Sequence, residues 1–190
     1  VERTTWGIDP VQIEEKITKK TKAILAVHLY GFACDIDAVM TIARAHHLYV
    51  IEDNAESLGA TSHGKKLGTI GDIGTYSFFG NKIITTGEGG AVSTDNEAWA
   101  DTMMIIANHG RKGTKTYEHT HLGYNYRMTN MQAAVGCAQL EQIETFLASR
   151  RRVDARYTTQ LDGVLTCQKE LLGTEHVQWM FSALLPESCS

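Results

Sequence analysis

Lys22-Ala-Ile-Leu-Ala-Val-His28 is a nearly continuous apolar run of strand length, and Leu48-Tyr-Val-Ile-Glu-Asp53 repeats that character one helix later. Such runs are what parallel strands buried on both faces require. Between them, Asp35 can cap a helix that sets Ile36, Val39, Met40 and Ala43 on one side. The last turn of that helix carries Arg44, His46 and His47, which suits the negative end of its dipole. Strand, helix and strand in this order argue for an α/β fold with right-handed crossovers. Ligands of open α/β sheets gather beyond the carboxyl ends of the strands. His28, Glu52 and Asp53 fall at such ends.

Working outward, Asp9-Pro-Val-Gln12 is a helix start, with an acceptor at the cap and proline in the first turn. Thr61 to Gly68 reads as a small hairpin turning at His63-Gly64. Gly74 to Phe79 and Gly90 to Thr94 read as two strands, Asn96 to Asn108 as a helix, and Gly110 to Gly123 as a mobile polar loop. Thr129-Asn-Met-Gln132 is a capping box opening one long helix with an apolar seam of Ala133, Gly136, Leu140, Ile143 and Leu147. The small residues Ala133, Ala134 and Gly136 suit a close backbone contact. A linker is expected after Leu161-Asp-Gly163, dividing a partial large domain (1–162) from the start of a smaller one (163–190). The chain opens without methionine and closes just after an apolar run, so both ends read as cut.

The length of 190 residues suits one domain, or one and a part. A net charge of -4 exerts no pull toward nucleic acid or an anionic membrane. Cys34, Cys137, Cys167 and Cys189 show no CxxC spacing and no partnered histidines, so no metal site is expected. Cys34 and Cys137 read as small buried fillers. This cysteine usage fits a reducing, cytoplasmic compartment. No signal peptide and no membrane-length apolar run stand out.

The chemistry concentrates in Tyr76-Ser-Phe-Phe-Gly-Asn-Lys-Ile-Ile-Thr-Thr-Gly-Glu-Gly-Gly90. A lone lysine is ordinarily exposed. Lys82, however, lies between the apolar pairs Phe78-Phe79 and Ile83-Ile84, which can desolvate its amine, and a carbonyl partner would turn that amine into a Schiff base. Together with Asp53 at a strand end it suggests a pyridoxal phosphate site, the aspartate pairing with the ring nitrogen and the lysine holding the aldehyde. Asp53 also suits a helix cap, although the downstream lysine favours the functional reading. Glu56 could reach the same cavity or stand as an exposed acid. Ser77 could bind the phosphate or be an ordinary strand serine. Asn125 and Arg127, in Gly123-Tyr-Asn-Tyr-Arg127, suit phosphate or carboxylate, or else satisfy loop backbone. His28 is a candidate substrate contact whose plainer role is structural.

Several of these stretches in order resemble the DegT/DnrJ-type (StrS-like) sugar aminotransferases. The matching segments are Thr21 to Gly31, Val50 to Ser57, Gly71 to Lys82, Thr85 to Gly90 and Gly123 to Met128, followed by the helix with Gln132 and Gln139-Leu140. Perosamine-synthase-like members are nearest in pattern. The resemblance implies the aspartate-aminotransferase-like fold of pyridoxal phosphate enzymes (fold type I): a mostly parallel sheet flanked by helices, incomplete here at both ends. It implies that Lys82 carries the cofactor and shuttles the proton. Asp53 would bind the ring nitrogen, Glu56 lie near the phenolic oxygen, and Ser77 hold the phosphate. Asn125 would reach a neighbouring subunit's phosphate across a homodimer, with Arg127 a weaker candidate in the same loop. The implied reaction takes an amino group from an amino acid, with glutamate expected, to a nucleotide-linked 4-keto-6-deoxy sugar. The rivals are a non-catalytic dimerising or regulatory module and a dehydratase on the same cofactor; the lysine, where related dehydratases carry histidine, favours transamination.

Overall fold

Four strands carry the fold in the computed structural model, which describes residues 1–113 and 117–186. Cys189 and residues 114–116 of the expected polar loop lie outside the described residues. In chain order the elements are α1 (Pro10–Lys16), β1 (Ala23–Val27), α2 (Ile36–Ala45), β2 (Tyr49–Asp53), β3 (Thr61–Ser62), β4 (Lys65–Lys66), β5 (Ile73–Ser77) and β6 (Gly90–Ser93). They continue with α3 (Glu97–Ala107), α4 (Asn130–Leu140), α5 (Ile143–Leu161), β7 (Thr166–Cys167), β8 (Thr174–Glu175) and β9 (Ala183–Leu184). The main sheet runs β1-β2-β5-β6. Its first three strands are parallel and β6 is antiparallel to β5. No helix among the described residues is long and apolar enough to cross a membrane.

Local signals act where the sequence places them. The Asp9 side chain accepts from Val11 N and Asp35 accepts from Ala38 N, so both helix starts are capped. Helix α2 turns Ile36, Val39 and Ala43 into a core with Ile13, Ile24, Ala26 and Val50. The hairpin β3-β4 turns at His63 (φ 47°) and Gly64 (φ 75°), the two left-handed positions of a primed turn. The Thr129–Gln132 capping box is formed in both directions.

Two expectations are corrected. Strands β1 and β2 are buried on one face, not two: Ile24, Ala26, Val50 and Glu52 point into the core, while Leu25 is 56% and Tyr49 53% exposed. Both α1 and α2 contribute to the one core on that side, and the opposite face gains only marginal cover, where Tyr49 meets the edge of Trp99 from α3. The long helix is two, because Gln142 (φ -108°, ψ 6°) leaves helical geometry between α4 and α5. Of the expected seam only Leu147 is buried, and Cys137 stands exposed on α4. Residues after Gly163 make contacts with the preceding part of the chain. Strand β8 pairs with β3, Val177 is buried with Ala33, Ala60 and Leu147, and the Gln168 amide donates to the carbonyls of Thr5 and Leu29.

Below the carboxyl ends of the strands lies a fully buried carboxylate. Glu52 accepts from the backbone N–H groups of Gly68 (2.8 Å), Ile70 (2.8 Å) and Gly71 (2.6 Å), and from His28 Nε2 (3.1 Å). Nδ1 of His28 accepts from Cys34 N, which makes the imidazole the neutral Nε2–H tautomer. Burial alone would raise the Glu52 carboxyl. The His28 hydrogen bond and the Gly71 and Gly68 N–H groups outweigh it and hold the group below the usual carboxylate range. A depressed pKa contributes stability that is present above the ordinary value of about 4.3 and lost as pH falls through the folded-state value.

Glu52→Gln should therefore lower the unfolding free energy at neutral pH by about 2–3 kcal/mol, the scale of hydrogen bonds to a charged group. In urea titrations the gap from wild type should close on acidification; an equal gap at both pH values excludes the ionised carboxylate as its source. Cys34 supplies a second check. Burial, with the Glu52 and Asp35 charges adding to it, pushes its thiol up to about 12. Thiol labelling followed by mass spectrometry should modify exposed Cys137 in the native protein and Cys34 only after unfolding.

Candidate active site

Because Glu52 faces the helix-covered side, strand alternation turns Asp53 to the other. Asp53 is half-buried at the end of β2, and its Oδ1 accepts from Ala55 N at 3.0 Å. This is an Asx turn rather than a helix cap, since 55–59 form turns. Among the described residues no protein donor takes the second carboxylate oxygen. On the neighbouring strand the register pairs Asp53 with Thr75. Ser77 thus lies two residues, roughly 6.6 Å, further toward the carboxyl edge. Its hydroxyl accepts only a long 3.4 Å bond from Phe79 N.

The chain then curls over the end of β5 and returns. Ser77 pairs with Gly90, Phe78 N donates to Gly89 O, and Thr86 N donates to Phe78 O. Ile83 and Ile84 anchor this loop in the second core. Thr86 packs so tightly on α4 that a Cβ at Gly136 would lie 3.0 Å from its methyl, which is the close contact the small residues suggest. Lys82 is half-buried just before these anchors, its N–H closing a turn onto Phe79 O. Its Nζ sits 4.0 Å from the centre of the Trp179 ring.

Glu56 is held from the β1 side: Tyr30 N donates to its Oε2 at 2.6 Å. Tyr30 (φ 57°) also stacks on Trp179, with ring centres 6.3 Å apart. Lys82, Trp179, Tyr30 and Glu56 therefore form one contiguous chain of contacts. His28 is placed differently from the sequence expectation. It is 0% exposed and both ring nitrogens are engaged, so it braces the strand ends and offers no atom to a substrate. Asn125 and Arg127 are exposed beside the end of α3, where Arg127 donates to Asn108 Oδ1 at 3.2 Å. Among the described residues nothing joins them to the Lys82 cluster.

Sequence reading missed Glu52, Tyr30 and Trp179. An acid inside an apolar strand, next to a second acid, was a usable signal for Glu52, since buried acids must be partnered. Trp179 gave only an aromatic segment read as the start of another domain, and its contact with Lys82 spans just over half the chain.

The chain belongs to the DegT/DnrJ/EryC1/StrS aminotransferase family, whose sequence model matches residues 1–190. It is 46% identical over 189 residues to the GDP-perosamine synthase of Caulobacter vibrioides, covering 98% of this chain and 51% of the relative. It superposes on DesV of S. venezuelae in complex with a ketimine intermediate with a TM-score of 0.90 at 31% identity, covering 95% of this chain and 49% of that one. For GDP-4-keto-6-deoxymannose-3-dehydratase (ColD) with bound GDP-perosamine the values are 0.87 and 30%, covering 97% and 52%. The chain thus spans about half the length of the relatives it matches. Pyridoxal phosphate is the cofactor of this family, and the donor set fits it. A carboxylate oxygen, a lightly engaged hydroxyl and an amine stand at or beyond the carboxyl edge of adjacent parallel strands.

Glu56→Ala leaves the part-buried Tyr30 N–H without its acceptor. In protein free of cofactor it should cost about 1–3 kcal/mol of stability in urea unfolding. No loss would mean that the 2.6 Å bond contributes nothing to the fold.

Proposed function

We propose that the intact protein is a pyridoxal-phosphate-dependent aminotransferase that converts a nucleotide-linked 4-keto-6-deoxy sugar to the amino sugar, with glutamate as donor. One observation supports it above the others: Asp53 and Ser77 end neighbouring strands, and the loop leaving Ser77 carries Lys82 back over that edge. Bound there, the cofactor supplies an electron sink that lets an amino group pass from donor to acceptor. Lys82 contributes the amine that holds the aldehyde and then carries the proton. The Asp53 carboxylate would keep a proton on the ring nitrogen, Ser77 would hold the phosphate through its hydroxyl, and Glu56 would lie near the phenolic oxygen. The nucleotide-sugar assignment draws on the GDP-perosamine synthase and ColD likenesses.

Asn125 and Arg127 fit a role in a second copy's site. They stand away from Lys82, beside exposed Tyr124, Tyr126, Met131 and Val135, a surface suited to a homodimer. The cysteine usage fits a reducing cytoplasm. The likeness to ColD makes water loss the competing outcome, and Lys82 favours amino transfer.

In the full-length protein, added pyridoxal phosphate should give a visible absorbance band that Lys82→Ala abolishes. A band persisting in that variant refutes the lysine assignment. Asp53→Asn should lower the transamination rate about 100-fold or more, the scale of losing one preorganised electrostatic partner. Following transfer of the amino group from glutamate against release of water separates aminotransferase from dehydratase.

A further inference from the structure

The segment 176–179 is fastened more heavily than a connection needs. The His176 ring lies between two carboxylates, Nε2 at 3.0 Å from Asp154 Oδ2 and Nδ1 against Glu170 Oε1, and stacks on Phe32 with centres 4.4 Å apart. Val177 N donates to Gly31 O and Trp179 N to Tyr30 O. Arg150 Nη1 donates to the carbonyls of Gln178 (3.3 Å) and Trp179 (3.0 Å). A Cβ on Gly31 would come within 3.0 Å of Trp179 N, so only glycine allows this approach. Two non-glycine residues beside Trp179, Tyr30 (φ 57°) and Gln178 (φ 47°), are left-handed. Strain of this kind persists where the surroundings over-determine it, and it clusters at functional sites.

These restraints share one geometric result: the Trp179 indole is held at the loop that bears Lys82. Its Nε1 donates to Asn81 O at 2.8 Å, and its face lies 4.0 Å below Lys82 Nζ. We propose that Trp179 is a positioning residue for Lys82. Its ring holds the lysine ammonium whenever that amine is not joined to the cofactor, and residues 176–179 are the clamp that sets the ring there. The inference rests on the reading of Lys82 as the cofactor-bearing lysine. Transamination frees this amine in the first half-reaction and requires it back at the end of the second. A free lysine ammonium on a flexible four-carbon stem otherwise spreads over many rotamers. An aromatic face attracts the charge strongly enough to favour one of them and weakly enough to release it. On return, the Lys82 nitrogen would bond to the cofactor carbon as the amine of the product leaves it, or as water leaves when free aldehyde is added, and the ring would keep the nitrogen near that carbon.

The test uses the full-length enzyme stripped of cofactor. Pyridoxal phosphate is added and the visible band of the lysine-linked form is followed by stopped flow. Linkage should be about tenfold slower in Trp179→Leu and intermediate in Trp179→Phe, which keeps an aromatic face of weaker pull. A loss equal in both variants and tracking their melting temperatures would show a merely structural role and overturn the proposal. So would a wild-type rate in Trp179→Leu. A second readout needs no cofactor. The emission of Trp179, isolated as the difference between wild type and Trp179→Phe, should change when Lys82→Met is introduced into both; an unchanged difference removes the contact. If Lys82→Ala retains the visible band, the functional reading itself fails. If Lys82→Ala loses it while Trp179→Leu links normally, only the present inference fails.

Discussion

The Glu52 carboxylate is the constraint on which the working end of this protein depends. It is buried with four donors around it, three from the turn at 68–71 and one from His28. An ionised group in that position costs several kcal/mol to desolvate, and it is tolerated only because all these donors point inward. The same bonds tie together the end of β1, the end of β2 and the approach to β5. The edge from which Asp53 and Ser77 project is therefore fixed from beneath by one charge. Gly68 and Gly74 allow this closeness, since a side chain on Gly74 would collide with the Gly68 carbonyl.

The architecture was largely legible because its signals are local. Asp9, Asp35 and Thr129 cap helices through bonds that span two or three residues, and His63-Gly64 turns a hairpin through backbone preference alone. The placement of Asp53 and Ser77 at strand ends, with Lys82 on the loop behind them, was legible for a related reason, because short apolar runs mark such ends. What escaped is set by distance. That β1 and β2 are covered on one face only follows from where α1 and α2 pack, and an apolar run cannot report which neighbours it has. The two roles open to His28 could not be separated in the sequence, because a strand-end histidine looks the same whether its ring meets a ligand or a buried acid. The break at Gln142 carries no proline or glycine, so nothing in the pattern marks it.

The site is consequently built from two kinds of support. The parallel strands present an acid and a hydroxyl on a rigid edge, as sites on regular elements do with more precision than sites on loops. The amine, by contrast, sits on a loop whose stiffness comes from packing: Ile83 and Ile84 below, Thr86 against Gly136, and the indole of Trp179 alongside. The left-handed backbones of Tyr30 and Gln178 join the two, linking Glu56 on the strand side to the clamp on the other.

The bond from the Trp179 indole to the Asn81 carbonyl spans 98 residues. On a ribosome adding roughly 5–20 residues per second, the nascent chain exposes its reactive lysine for on the order of 5–20 seconds before the aromatic neighbour has been polymerised. Contacts of such separation also carry the largest loop-closure penalty, so they form late. The contact between Lys82 and the indole is thus completed only after the segment that follows α5 has been made and docked.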